Sequence, residues 1–98
     1  MKHSKPYQTF ITRRLNDDVA ENEDIAKAVY SAAQRFYNCD WGDLCQEDKE
    51  ANNRDLADRD GHILGKYSTP NGNIYINLVF DEPSIQSDAA TIMYCDEY

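Results

Sequence analysis

Apolar residues recur along the chain in two rhythms, and the changes of rhythm divide it into elements. Residues 7–12, Tyr-Gln-Thr-Phe-Ile-Thr, are aromatic and β-branched types that suit a pleated surface, and they predict a short strand. Arg13 and Arg14 follow, then the polar stretch Asn16-Asp17-Asp18. Over 22–38 the period lengthens. Ile25, Val29, Ala32 and Phe36 recur at intervals of three and four, which stacks them on one face of an amphipathic helix. Ala28 and Ala33 widen that face. Asn22 suits the N-cap, and Glu23 and Asp24 then lie in the first turn, where the helix dipole favours negative charge. Asn38 suits the end, because Asn tolerates the left-handed conformation.

A second helix is expected from Asp43 to about residue 57, since Asp43 and Gln46 have the spacing of a capping box. Leu44, Ala51 and Leu56 are its few apolar residues, so it should be mostly exposed, and Gly61 ends the pattern. Residues 62–68 and 74–80 then alternate with period two and read as strands. Asn71-Gly72 between them signals a hairpin, because both residue types accept positive φ. On the second of these strands Ile74, Ile76, Leu78 and Phe80 share one face, and Tyr75, Asn77 and Val79 the other. A polar loop with Pro83 spans 81–88, and 90–95 reads as a last strand, with Ile92 and Tyr94 on one face and Met93 and Cys95 on the other. The order β-α-α-β-β-β predicts an α+β fold: a mainly antiparallel sheet of about four strands with two helices on one face.

The 98 residues suffice for one domain and one core, with residues 1–6 as a loose tail. Eleven aromatic residues argue against disorder. Eighteen acidic residues against ten basic ones give a net charge of -8, which opposes direct binding to nucleic acid and to anionic membranes. The same charge favours attraction to basic surfaces. An odd cysteine count without framework spacing, Cys39, Cys45 and Cys95, suits a reducing compartment. Cys39 and Cys45 are near enough in sequence to pair, and nothing in the pattern requires it. The N-terminal decapeptide lacks the apolar run of a signal peptide, and Ile74 to Phe80 is too short to span a bilayer. A cytoplasmic location is the expectation.

Catalytic signatures are missing from the sequence. Its two histidines are His3, in the expected tail, and His62, at the start of a strand without helpful neighbours. There is neither C-x-x-C nor H-x-x-x-H, and the acidic run 40–50 lacks the alternating ligands and central Gly of an EF-hand loop. Gly61 and Gly65 are not followed by the G-K-S/T of a phosphate loop. No catalytic residue, metal ligand or cofactor is therefore expected.

The least ordinary segment runs from Cys39 to Asp60. Eight acids, Asp40, Asp43, Glu47, Asp48, Glu50, Asp55, Asp58 and Asp60, face only Lys49, Arg54 and Arg59 in sequence. Here too is the sole tryptophan, Trp41, between Asp40 and Gly42. The plain reading is that Trp41 plugs one end of the core while Asp40 and Asp43 cap a turn. The functional reading is a helical face of carboxylates that docks on a basic groove, because a row of carboxylates can imitate phosphates.

Residues 40–52, Asp-Trp-Gly-Asp-Leu-Cys-Gln-Glu-Asp-Lys-Glu-Ala-Asn, resemble the D-W-G-D-x-x-x-E-D-x-x-x-N signature of a family of small proteins. That family is encoded on phages, plasmids and other mobile elements of bacteria, mainly Firmicutes, and its members are often labelled plasmid-related or restriction–modification fragments. Ile11-Thr12-Arg13-Arg14 is similar to its T-R-G segment, with Arg14 in place of the glycine. The 63–80 hairpin and the ending Asp96-Glu97-Tyr98 are similar as well, whereas 90–95 departs from the family's T-T-V-L-F-P. The resemblance implies no catalytic residues. It does imply a setting in which small acidic proteins antagonise host defence.

The resulting expectation is a non-enzymatic binding protein of a mobile element, an anti-CRISPR or anti-restriction inhibitor whose partner is a host protein such as a nucleic-acid-binding defence nuclease. Its docking residues would be Asp43, Glu47, Glu50 and Asp55, with Trp41 as support or anchor. Two alternatives stand beside it. One is a metal-dependent enzyme or accessory protein using the carboxylates of 40–48. The other is a structural or regulatory homodimer joined through an exposed sheet edge.

Overall fold

The computed structural model describes residues 8–58, 61–80 and 89–98. Its elements are β1 (Gln8–Ile11), α1 (Arg13–Glu21), α2 (Glu23–Tyr37), α3 (Gln46–Asp58), β2 (His62–Thr69), β3 (Gly72–Val79) and β4 (Ala89–Tyr94), closed by a short 3-10 turn at Cys95–Glu97. The expected tail 1–6 and the Pro83 loop lie outside the described residues.

The α+β class holds, with two corrections. The sheet is mixed: its order is β1-β4-β3-β2, and β1 runs parallel to β4 while the other two pairings are antiparallel. The described helices number three. The additional helix, α1, lies where the sequence reads as a polar stretch after Arg14. Its larger apolar residues, Leu15 and Val19, lie one turn apart on one face, Leu15 fully buried and Val19 packed at the margin, but they are two among polar neighbours and the stretch reads as a loop by composition.

The core lies between one face of the sheet and helices α1 and α2. Ile63 and Tyr67 of β2, Ile74, Ile76 and Leu78 of β3, and Ala90, Ile92 and Tyr94 of β4 line that face and are all buried. Register makes this continuous, since Ile63 stands opposite Leu78, Tyr67 opposite Ile74, and Ile76 opposite Ile92. Leu15, Ile25, Val29, Ala32 and Phe36 cover it from the helices. The reverse face carries Phe10, Tyr75, Val79 and Met93, and Tyr98 meets Tyr75 edge-on at 5.4 Å.

Local chemistry sets the boundaries. Asn22 caps α2 as expected, its Oδ1 accepting from the backbone N–H of Asp24 and Ile25 at 2.9 and 3.3 Å. At the other end the left-handed residue is Cys39 (φ 63), whereas Asn38 keeps φ -101. Asn38 instead donates its side-chain amide to the Gln34 carbonyl at 2.8 Å. In the hairpin the two turn residues are Pro70 and Asn71, and only Gly72 takes positive φ. Thr69 Oγ1 donates to the Gly72 carbonyl and accepts from Asn71 N–H, which closes the turn. Cys95 falls in the 3-10 turn rather than in β4.

Candidate docking surface

The segment between α2 and α3 is built around the outer edge of β2, the terminal strand of the sheet. An edge strand presents unpaired N–H and C=O groups that invite another chain. Four of these groups are taken here. Lys66 N–H donates to the Trp41 carbonyl at 3.0 Å, and the Lys66 carbonyl accepts from Asp43 N–H at 2.8 Å. The Asn52 amide reaches across from α3, donating to the Leu64 carbonyl at 2.8 Å and accepting from Leu64 N–H at 3.4 Å. Asn52 is a buried polar residue with both ends of its amide in use. The segment and α3 thus form a clasp on β2 that takes up the outward backbone groups of Leu64 and Lys66.

This geometry accounts for Asp40, Trp41, Gly42, Asp43 and Asn52. Gly42 has φ +78 and lies so close to β2 that a Cβ would overlap the Lys66 carbonyl. Trp41 is 2% exposed, meets Phe36 edge-on at 5.3 Å and donates its indole N–H to Asn53 Oδ1 at 2.9 Å. Asp40 pairs with Arg35 through two hydrogen bonds, 2.8 and 3.3 Å, and also accepts from Gly42 N–H. The Arg35 guanidinium holds the Asp40 carboxyl below its ordinary pKa, and is itself raised by that carboxylate. Arg35 also lies over the Tyr67 ring, 5.3 Å from its centroid. The Tyr67 hydroxyl donates to the Asp40 carbonyl at 2.8 Å, and burial pushes its pKa up.

The proposed capping role of Asp43 is corrected. α3 begins only at Gln46, with the Cys45 carbonyl accepting the first helical bond, from Lys49 N–H, while Asp43 N–H donates to the Lys66 carbonyl. The Asp43 carboxylate faces Ser68 Oγ at 3.3 Å.

The expected docking residues therefore separate. At about 100° per residue, Glu47, Glu50, Arg54 and Asp58 fall within roughly a quarter of the circumference of α3, opposite Asn52 and Leu56. All four are exposed. Glu47 and Glu50 are brought together, with Arg54 on the same stripe. Asp55 lies on the flank with Asp48 and is half-buried. Asp43 belongs to the loop before the helix, and Trp41 belongs to the core, where it can support the surface but not touch a partner.

A second polar cluster joins α1, the hairpin and β4, and nothing in the spacing of its residues announces it. The Tyr94 hydroxyl donates to Asp18 Oδ2, and Asn71 Nδ2 donates to both, at 3.0 Å to Tyr94 and 3.2 Å to Asp18. Arg14 lies over the Tyr94 ring, 4.6 Å from its centroid, and pairs with Asp96 at 2.7 Å. Glu97 Oε1 accepts from Thr12 Oγ1 and from Tyr94 N–H. Burial and the Asp18 carboxylate both raise the Tyr94 pKa, against the Asn71 bond. The phenol stays protonated and serves to tie elements together.

His62 is exposed at the start of β2. Cys39, Cys45 and Cys95 are free thiols, and burial raises the pKa of Cys39 and Cys95, which makes them poor nucleophiles. Among the described residues, no three His, Cys, Asp or Glu side chains converge as metal ligands, and no helix is long and apolar enough to cross a membrane. No family model, curated protein or solved structure matches the chain.

Proposed function

We propose that the protein is a non-enzymatic binding protein of a mobile element, an antagonist that docks through the carboxylates of α3 on a basic surface of a host defence nuclease. The observation that carries this reading is the pair Glu47 and Glu50. Both point outward from a helix whose inner side is fixed to β2 by Asn52 and to the core by the Trp41–Asn53 bond. Carboxylates held on a fixed helix lose little conformational freedom on docking, so more of the attraction to a basic groove survives as affinity. The net charge of -8 adds long-range steering toward such a groove. Asp58 extends the stripe, Arg54 reduces its local charge, and Asp55 serves a different flank. The resemblance of residues 40–52 to proteins of mobile elements supports the biological setting.

The test is capture from host lysate with tagged protein, with and without competing double-stranded DNA, followed by mass spectrometry. A nuclease that is recovered, and then released by DNA, is the expected result. Partners indifferent to DNA would refute competition for a nucleic-acid groove.

A further inference from the structure

A groove of about 340 Å3 runs between α3 and the start of β2, lined by Leu44, Asp48, Ala51, Asp55, His62 and Leu64, with Asn52 at its base. It lies round the helix from the Glu47–Glu50 stripe. Leu44, Ala51 and Leu64 contribute hydrocarbon to its wall beside Asn52. The Asn52 amide is engaged at both ends by Leu64, which fixes its orientation on the strand. The polar side chains that remain are His62, at the β2 end, and two carboxylates on one flank of α3, Asp48 and Asp55, seven residues or about 10.5 Å apart along the axis. Among the described residues neither has a hydrogen-bond or ion-pair partner. Carboxylates accept hydrogen bonds and donate none, so the occupant must bring donors and positive charge.

Size and spacing then select among cations. A bare metal ion needs several oxygens within about 2.6 Å of one point, which two carboxylates set two helical turns apart do not provide. The volume is also many times the roughly 30 Å3 of a water molecule. A long side chain with an apolar stem and a cationic head fits the hydrocarbon and the acidic flank together. The guanidinium is less strongly hydrated than an ammonium and presents five donors in a flat fork. We infer that the α3–β2 groove is a binding site for an arginine side chain of a protein partner. This rests on the docking role proposed for α3 and names a contact within it.

The experiment is a titration of methyl-labelled protein with N-acetyl-arginine amide, followed by NMR. Saturable shifts are expected at the Leu44, Ala51 and Leu64 methyls. In Asp48→Asn/Asp55→Asn the apparent affinity should fall about tenfold, the loss of one charge-assisted contact. It should change less than about twofold in Glu47→Gln/Glu50→Gln, whose carboxylates lie outside the groove lining. Both variants should stay folded, each losing about 0.3–1 kcal/mol in urea unfolding, because each removes one first-turn carboxylate, Asp48 or Glu47, from the N-terminus of α3. Shifts missing from the three methyls, or equal weakening in both variants, would overturn the assignment. The two readings fail separately. Partner capture lost in Glu47→Lys/Glu50→Lys but untouched in Asp48→Asn/Asp55→Asn would remove the groove and leave the docking stripe.

Discussion

Replacing Gly42 with alanine should break the clasp on β2, and its cost can be worked from the surroundings. At φ +78 any L side chain costs about 1–2 kcal/mol in backbone strain. The new Cβ would overlap the Lys66 carbonyl oxygen and stand 2.9 Å from Tyr67 Cδ1. The obstacle is backbone, which no rotamer change relieves, so the loop must lift away from the strand. Two bonds go with it: Lys66 N–H to the Trp41 carbonyl, and Asp43 N–H to the Lys66 carbonyl. At about 1 kcal/mol net for each hydrogen bond, the total is about 3–4 kcal/mol. Gly61 supplies the control. Its φ is +68, yet nothing lies within 4 Å of a Cβ placed there, so Gly61→Ala should cost only the strain of about 1–2 kcal/mol. Urea unfolding followed by Trp41 fluorescence reads both, since Trp41 is the sole tryptophan and is buried. A shift of midpoint at constant slope reports stability alone. Equal losses in the two variants would refute the clasp.

Two further perturbations probe the contacts around it. Asp40 has a folded pKa below its unfolded value, so its stabilisation is fully present above the ordinary carboxylate range, near 4, and is lost as pH falls through the folded value. Asp40→Asn should therefore be less stable than the wild type at pH 7, with the gap closing below about pH 4. Urea midpoints at pH 7, 5 and 3 check this, and a gap independent of pH would contradict the Arg35–Asp40 pairing. Tyr94→Phe removes the hydroxyl that joins Asp18 to the hairpin and should cost about 1–2 kcal/mol, read by thermal unfolding. An unchanged midpoint would mean that the α1–hairpin–β4 network contributes nothing to stability.

The parts of the fold legible in the sequence are those in which one element repeats its own pattern. Ile25, Val29, Ala32 and Phe36 announce α2, and Ile74, Ile76 and Leu78 announce the buried face of β3. Features set by partners distant in sequence stayed hidden. Leu15 is the one fully buried residue of α1, and the polar side chain of Asp18 finds its bonds more than fifty residues away, at Asn71 and Tyr94. The parallel run of β1 beside β4 joins the two ends of the chain, and strand composition carries no direction. The candidate surface divides in the same way. Helical spacing does bring Glu47 and Glu50 together. The spacing of Asp43 to Gln46 is that of a capping box, whereas its N–H and carboxylate go to Lys66 and Ser68, more than twenty residues on. Asn52 closes the D-W-G-D-x-x-x-E-D-x-x-x-N pattern, but its hydropathy and spacing give it no role, since an asparagine on a polar helix looks like any other surface residue until the strand edge beside it is known.

The central claim is that the outward carboxylates of α3 form the docking contact, and the most direct measurement is calorimetric affinity of the captured partner for wild-type protein and for Glu47→Lys/Glu50→Lys. Both residues are exposed and Glu47 lies in the first turn of α3, so the variant should stay folded with a loss of about 1 kcal/mol in urea unfolding. The account predicts a folded variant whose affinity falls at least about a hundredfold, as reversal of two central charges turns attraction to a basic groove into repulsion. A folded variant that binds as tightly as the wild type would contradict it.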